Sequence, residues 1–448
     1  MVIALSYHNS CGQRWSWHRY LRLSAAVIFS AFLLLVSNLF FTNGLVCIST
    51  FTWVILVTAV NLGWAKVDSI IITNPYRCWL VLMTALVLVF ILIFRKDKLT
   101  VILFNVLALN TAVFFLTRNV IIFYIRFEFS LIPMVALIIM RGYQPERYGA
   151  RLWFLLYTIV GSLPLLYVIL TVRGQRGTRC ILLRGRVRNT LVLPVLLAFM
   201  VKLPVFGIHL WLPKAHVQAP VRGRMFLAAV LLKIGGYGIF FIKCLVGVRL
   251  SVFLPFIIFS VLGSTIAMIF CMMLDDIKQV IAYRRIGHIG LVVGTVLSDN
   301  EIGLVRRLLI IVGHGFTRSL IFYLGNEAYG VRGSRRLRLT KGLIIVSPIL
   351  RLCLGSALIL NMSFPPSINV FGEIRAIISI ISTYPRRIGL LLLLVLLGGL
   401  FNIKLYLSVR HGTCNRFTPR KSVSVPSMMV RVRHVLPYLL LPFIVVCL

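Results

Sequence analysis

Apolar runs of about 20 residues recur along almost the whole chain, and a run of that length is what an α-helix needs to cross the hydrocarbon core of a bilayer. They lie near residues 22–41, 45–64, 77–95, 99–117, 119–140, 152–172, 189–211, 221–243, 251–274, 278–297, 303–325, 342–361, 366–383, 388–408 and 433–448. The stretches between them, such as 141–149 and 173–189, are short and rich in Gly, Pro, Asn or charge, and leave no room for a water-soluble domain. In lipid every spanning backbone group must be satisfied within the protein, so these runs are expected to be helices. The chain has 448 residues, of which 60% are hydrophobic, against about 45–50% in soluble domains. That length holds about 12–15 spans with short connections. Arg14, His18, Arg19 and Arg22 precede the run 23–41, which is too long for the apolar core of a signal peptide and reads as the first membrane helix. The expected fold is an all-α membrane protein, with one polytopic membrane domain over residues 1–448.

The charge is the second constraint. Lys+Arg number 48 and Asp+Glu 10, a formal net charge of +38. A soluble protein this basic would be read as binding nucleic acid. Here many arginines sit inside apolar runs and no basic stripe alternates with aromatics, so no nucleic-acid partner is expected. The lipid bilayer is the expected surrounding. The 9 cysteines are dispersed without a CxxC pair, which points to buried thiols and to neither a metal site nor an iron–sulfur cluster.

With so few acids, their positions are informative. Asp68, Asp97, Glu146, Asp275, Asp276, Asp299, Glu301 and Glu327 fall at or near the ends of runs, whereas Glu128 and Glu373 fall inside them. A charge at bilayer depth costs about 2.5–3.5 kcal/mol on insertion scales, so such a residue faces a partner or a hydrated cavity. Lys202, Lys233, His288 and His314 are also within runs and are the candidate partners. A low dielectric favours the neutral form of a carboxyl or an amine, and a nearby opposite charge favours the ionised form. A Lys–Glu pair can therefore switch between a charge-paired state and a separated one that exchanges a proton. Lys, His and Glu at similar depth form a proton relay; the alternative is a set of static ion pairs that fix helix packing.

Two runs are interrupted by proline, at Lys202-Leu203-Pro204 and at Ser363-Phe364-Pro365-Pro366. Proline removes a backbone donor and clashes with the preceding turn. In membranes a broken helix commonly lines a site, where freed carbonyls meet ions or water; a plain kink or a loop fits the same residues.

The string KLPVFGIHLWLPKAHVQAPV at 202–221, followed by LAAVLLKIGGYG at 227–238, closely resembles the chain 4 family of mitochondrial NADH–ubiquinone oxidoreductase, the respiratory complex I. FEFSLIP (127–133), GYQPER (142–147), FLLYTIVGSLPLL (154–166) and FPPSINVFGE (364–373) extend the match, and AYRRIGHIGLV (282–292) and GHGFTRSLIF (313–322) do so more weakly. The resemblance covers roughly residues 68–412. It implies about fourteen transmembrane helices in the mitochondrial inner membrane, with an antiporter-like fold of two inverted five-helix repeats. Each repeat would hold one discontinuous helix, and the proton-translocating core would span about residues 119–383. It implies a subunit of NADH:ubiquinone reductase that couples electron transfer to proton pumping. Such a chain binds no cofactor itself: FMN, iron–sulfur clusters, NADH and ubiquinone belong to other subunits. Its implied partners are the other complex I membrane subunits, especially neighbouring antiporter-like chains. Glu128 and Lys202 look like the coupling ion pair, Lys233 like the central relay lysine, His288 and His314 like relay positions, and Glu373 like the terminal relay site. A cation/proton antiporter subunit of the same fold is the alternative.

The chain departs from the family at Gln218, where a Glu is usual, and at Arg222, Arg224, Arg284, Arg285 and Arg318, where small residues, often Ser or Gly, are usual. Arg284 and Arg285 precede His288 by four and three positions and Arg318 follows His314 by four, so each pair shares neighbouring helix faces. Like charges at that spacing disfavour protonating the histidines. Several animal mitochondrial codes read AGA and AGG as Ser or Gly, so many of these arginines are expected to be decoding artefacts; a genuinely arginine-rich variant is the other reading.

Overall fold

The computed structural model describes residues 75–92, 97–117, 119–142, 146–176, 191–246, 250–298, 303–339, 341, 348–365, 367–385 and 388–410. The expected spans near 22–41, 45–64 and 433–448 lie outside the described residues, as do Asp68, Asp299, Glu301 and Pro366. In chain order the helices are α1 (Pro75–Leu92), α2 (Lys98–Leu116), α3 (Val120–Phe129), α4 (Leu131–Arg141), α5 (Arg147–Arg176), α6 (Val192–Lys202) and α7 (Trp211–Gln218). Then come α8 (Val221–Phe226), a π-helical turn (Leu227–Leu231), α9 (Leu232–Val246), α10 (Leu250–Met273), α11 (Ile277–Leu297), α12 (Gly303–Arg332), α13 (Pro348–Asn361), α14 (Ile368–Thr383) and α15 (Ile388–Arg410). No strand forms among the described residues. Seven helical stretches among them are long and apolar enough to cross a membrane: Lys98–Leu116, Val120–Arg141, Arg147–Thr171, Val221–Phe240, Val252–Met273, Ile277–Leu297 and Ile388–Arg410.

Burial sorts these spans into a centre and a rim. Val221–Phe240 and Ile277–Leu297 are almost wholly enclosed by protein, while Arg147–Thr171 and Ile388–Arg410 turn most of their surface outward. On α5 the outward stripe is Leu152, Leu156, Ile159, Leu163, Tyr167 and Leu170, spaced by three or four as one helix face requires. An apolar stripe that faces away from the core suits lipid or a neighbouring membrane helix. The two enclosed spans carry Lys233, His288 and the buried Arg224, Arg284 and Arg285, side chains that cannot face hydrocarbon.

α10 and α11 form the most extensive helix pair, and Gly290 makes their approach possible. A Cβ there would stand 2.6 Å from Ser264 Cβ and would also strike the Ser260 carbonyl. Because backbone cannot give way as a flexible side chain can, Gly290→Val is expected to destabilise the subunit by about 2–3 kcal/mol. The thermal midpoint of the purified assembly, compared with that of the parent, measures it; an unchanged midpoint contradicts this packing.

Three interruptions organise the interior. The expected run 119–140 is two helices, split at Ser130. Around Pro204, α6 stops at Lys202 and α7 starts at Trp211. The missing proline N–H is worked around locally: Leu203 N donates to Phe199 O (2.7 Å) and Val205 N to Met200 O (3.3 Å). The Val201 carbonyl accepts from Trp211 Nε1 at 3.0 Å, so the tryptophan of the 202–221 string ties the two helix ends together. Gly207, at φ +96°, turns the chain between them, a conformation that costs glycine little. Around Pro365, α13 stops at Asn361 and α14 starts at Ile368, with Ser363 at φ 58° in the connection.

Candidate functional site

Glu373, His288 and His314 come together from three helices. Glu373 is on α14, His288 on α11 and His314 on α12. Glu373 Oε1 lies 3.8 Å from His288 Nδ1 and 3.4 Å from His314 Nε2, and the imidazole centroids are 5.3 Å apart. Both histidines are buried. α12 packs extensively on α14 and also on α11. Gly372, beside Glu373, allows the closer of these approaches, since a Cβ there would stand 2.8 Å from Ile310 Cγ1. Lys233 is 5% exposed at the start of α9, directly after the π turn at Leu227–Leu231. Single π turns inside α-helices recur at functional sites. Lys233 is within electrostatic reach of both histidines.

Glu128 and Lys202 form the second cluster, which the structure holds in the separated rather than the charge-paired arrangement. Lys202 Nζ instead donates to the Phe127 carbonyl and to Ser130 Oγ at 3.2 Å, and lies 3.4 Å from the Phe127 ring centroid. Glu128 remains electrostatically coupled to Lys202 and stands beside the Ser162 hydroxyl, but its Oε1 is buried without a hydrogen-bond partner. The cause is the break at Ser130. It leaves the Phe127 carbonyl outside the α-helical ladder, and an ammonium ion is a strong donor to such a carbonyl. Asn110 Nδ2 satisfies the neighbouring Arg126 carbonyl at 2.8 Å. Glu128 thus sits at the end of a half-helix rather than in mid-helix, although the stretch Val120–Arg141 is one candidate span.

Of the acids expected at run ends, Asp276 immediately precedes α11, whereas Glu327 lies inside α12, which continues to Arg332. Asp97 pairs with Arg141 at 3.1 Å, with both side chains partly exposed. Gln218 Nε2 donates to Glu146 Oε2 at 2.8 Å, so the amide at 218 gives the Glu146 carboxylate a donor. Cys271 and Cys353 are free thiols.

The arginines are the discordant part of the interior. Arg224, Arg284, Arg285 and Arg318 are 2–6% exposed. Arg284 donates to the Asn361 carbonyl at 2.9 Å and meets His288 Nε2 at 3.4 Å. Arg285 Nη1 meets His216 Nε2 at 2.6 Å, while Arg285 Nε and Nη2 and Arg318 Nη2 are buried without hydrogen bonds. His288, His314 and Glu373 could in principle offer three donors to one metal ion, with ligand atoms within 4.8 Å of one another. Lys233, Arg284 and Arg318 nearby oppose a divalent cation there.

Sequence reasoning did not single out Ser130, Asn361, Trp211 or His216. Each acts through a helix end or a buried hydrogen bond, and only the proline breaks hinted at such ends.

Residues 117–400 match the family described as NADH:quinone oxidoreductase/Mrp antiporter, transmembrane. NADH-ubiquinone oxidoreductase chain 4 of Gadus morhua is 30% identical over 90% of this chain and 91% of its own length. The chain 4 of Ceratitis capitata is 38% identical over 69% and 71%. A chain of respiratory complex I from Thermus thermophilus superposes with a TM-score of 0.73 at 20% identity, covering 95% of both chains. A chain of the Mrp complex from Dietzia sp. DQ12-45-1b gives 0.78 at 16% identity, covering 94% of both. With relatives of this identity aligned over most of their length, a matching family model and the antiporter-like helical fold, this chain belongs to the NADH:quinone oxidoreductase/Mrp antiporter transmembrane family.

Proposed function

We propose that this chain is a proton-translocating membrane subunit of a mitochondrial NADH:ubiquinone oxidoreductase. The observation that carries the reading is the Glu373 carboxylate set between the His288 and His314 imidazoles, 3.8 and 3.4 Å away, with Lys233 buried within reach. Three proton-exchanging side chains on α11, α12 and α14, and an amine on α9, are what a relay through a membrane interior requires. In this reading Glu128 and Lys202 are the coupling pair, Lys233 the central relay lysine, His288 and His314 intermediate positions and Glu373 the terminal site.

The open state of the first cluster suits such a role. Lys202 has an alternative seat on the Phe127 carbonyl and Ser130, so its charge can leave Glu128 without becoming unsolvated. Seated there, Lys202 leaves Glu128 to take up a proton; moved to Glu128, it favours the carboxylate. The alternation changes the field felt by Lys233 and passes the change along the interior. FMN, iron–sulfur clusters, NADH and ubiquinone are assigned to partner subunits, and neighbouring antiporter-like chains in the mitochondrial inner membrane to the exposed rim. The whole chain is read as one polytopic domain of about fourteen helices in two inverted repeats, with the interruptions at Pro204 and Pro365 as its discontinuous helices.

Glu128→Gln keeps the shape and removes the titratable group. NADH-driven proton uptake by vesicles reconstituted with this variant is expected to fall at least about tenfold. Unchanged proton stoichiometry would make the Glu128–Lys202 cluster structural. The similarity in fold to a chain of an Mrp complex supports a second reading, a cation/proton antiporter subunit without a redox partner. Co-purification of the native chain with flavin and iron–sulfur subunits separates the two.

A further inference from the structure

We propose that the functional protein carries a small residue, serine or glycine, at positions 224, 284, 285 and 318, because the codons there are AGA or AGG and are not read as arginine in its compartment. Of the 48 basic residues, 37 are arginine, and the four concerned occupy the most enclosed part of the molecule. Arg224 and Arg285 are 2% exposed, Arg284 4% and Arg318 6%. Arg284, Arg285 and Arg318 line one cavity between α11, α12, α13 and α15, together with His288 and Asn361. Each of these three guanidinium groups lies in the field of another, and Lys233 adds a fourth positive charge. Glu373 is the acid that offsets Arg284 and Arg318, and it already contacts both histidines. A buried charge is tolerated when it is paired and its hydrogens are satisfied. Here Arg285 Nε and Nη2 and Arg318 Nη2 are orphaned, although arginine cannot shed its proton to relieve the burial.

Arg141 shows what a housed arginine looks like in the same molecule: it pairs with Asp97 at 3.1 Å at a partly exposed helix end. AGA and AGG are arginine codons in the standard code but are read as serine or glycine in several animal mitochondria, whereas the CGN family keeps its meaning. One reassignment therefore removes the buried cluster and is compatible with an arginine kept at 141. It also empties the cavity of guanidinium, leaving a polar chamber beside His288 that is suited to water, and frees His216 Nε2, which now meets Arg285.

The inference bears on the interior that the proposed relay uses, but its test is covalent and does not depend on pumping. The coding DNA is read at these positions, and the chain, isolated in its native complex, is digested with trypsin and analysed by peptide mass spectrometry. Expected are AGA or AGG at 224, 284, 285 and 318, CGN at 141, and peptides that run uncut through 284 and 285 with serine or glycine masses. A CGN codon, or arginine in the native peptide, at any of the four positions overturns the proposal. A protein that failed to translocate protons would leave both readouts unchanged, so the two readings fail separately.

Discussion

Glu373→Gln is expected to lower NADH-driven proton uptake by on the order of 10²-fold, the usual contribution of a positioned acid–base group. The amide has the shape of the carboxyl and can still hydrogen-bond to the imidazoles of His288 and His314, now 3.8 and 3.4 Å from Oε1. What it cannot do is take up and release a proton. The helices that frame the site meet through backbone and apolar contacts, such as Gly372 against Ile310, so assembly is expected to survive. Initial rates of proton uptake in proteoliposomes, divided by NADH oxidised, measure the effect, and Glu373→Asp should recover part of it. If the Glu373→Gln variant pumps as the parent does, Glu373 holds the two histidines in place and no more.

Lys233→Met should be as damaging to pumping and yet harmless to stability. Methionine matches the length and apolar stem of lysine and removes a buried cation, 5% exposed, that forms no ion pair among the described residues. Deleting a poorly compensated buried charge is neutral or stabilising, so the thermal midpoint of the complex should hold or rise while proton uptake falls on the order of 10²-fold. A structural lysine predicts the reverse, a lower midpoint with pumping intact. Measuring both quantities on one preparation decides between them.

Much of this was legible in the sequence, because lipid makes the rules severe. The ionisable and proline-marked features reduce to one question, whether a polar group lies inside an apolar run, and for Glu373, His288 and His314 the answer led to a real cluster. Some helix limits followed apolar length closely, as in Ile277–Leu297 against the expected 278–297, while Gly303–Arg332 runs past the expected 303–325. The split at Ser130 was missed. Pro133 lies three residues inside α4, where a first-turn proline is tolerated, so the residues FEFSLIP read equally well as a continuous helix. The seat of Lys202 was missed for the same reason: a freed backbone carbonyl leaves no trace in side-chain pattern. The arginines stood out in the sequence as departures from the family pattern; that Arg284, Arg285 and Arg318 line one cavity is what the sequence alone does not show.

The position of that seat has a consequence for timing. The two groups that hold Lys202, the Phe127 carbonyl and the Ser130 hydroxyl, flank Glu128 in the sequence and share its half of the split span. In the proposed alternation Lys202 would leave these two groups for Glu128 by rotating its own side chain, with α3 and α6 standing still. Rotamer changes are far faster than helix or domain displacement. The exchange at Glu128 would then always be close to equilibrium, and the pace of the cycle would be set by whatever shifts its bias from outside.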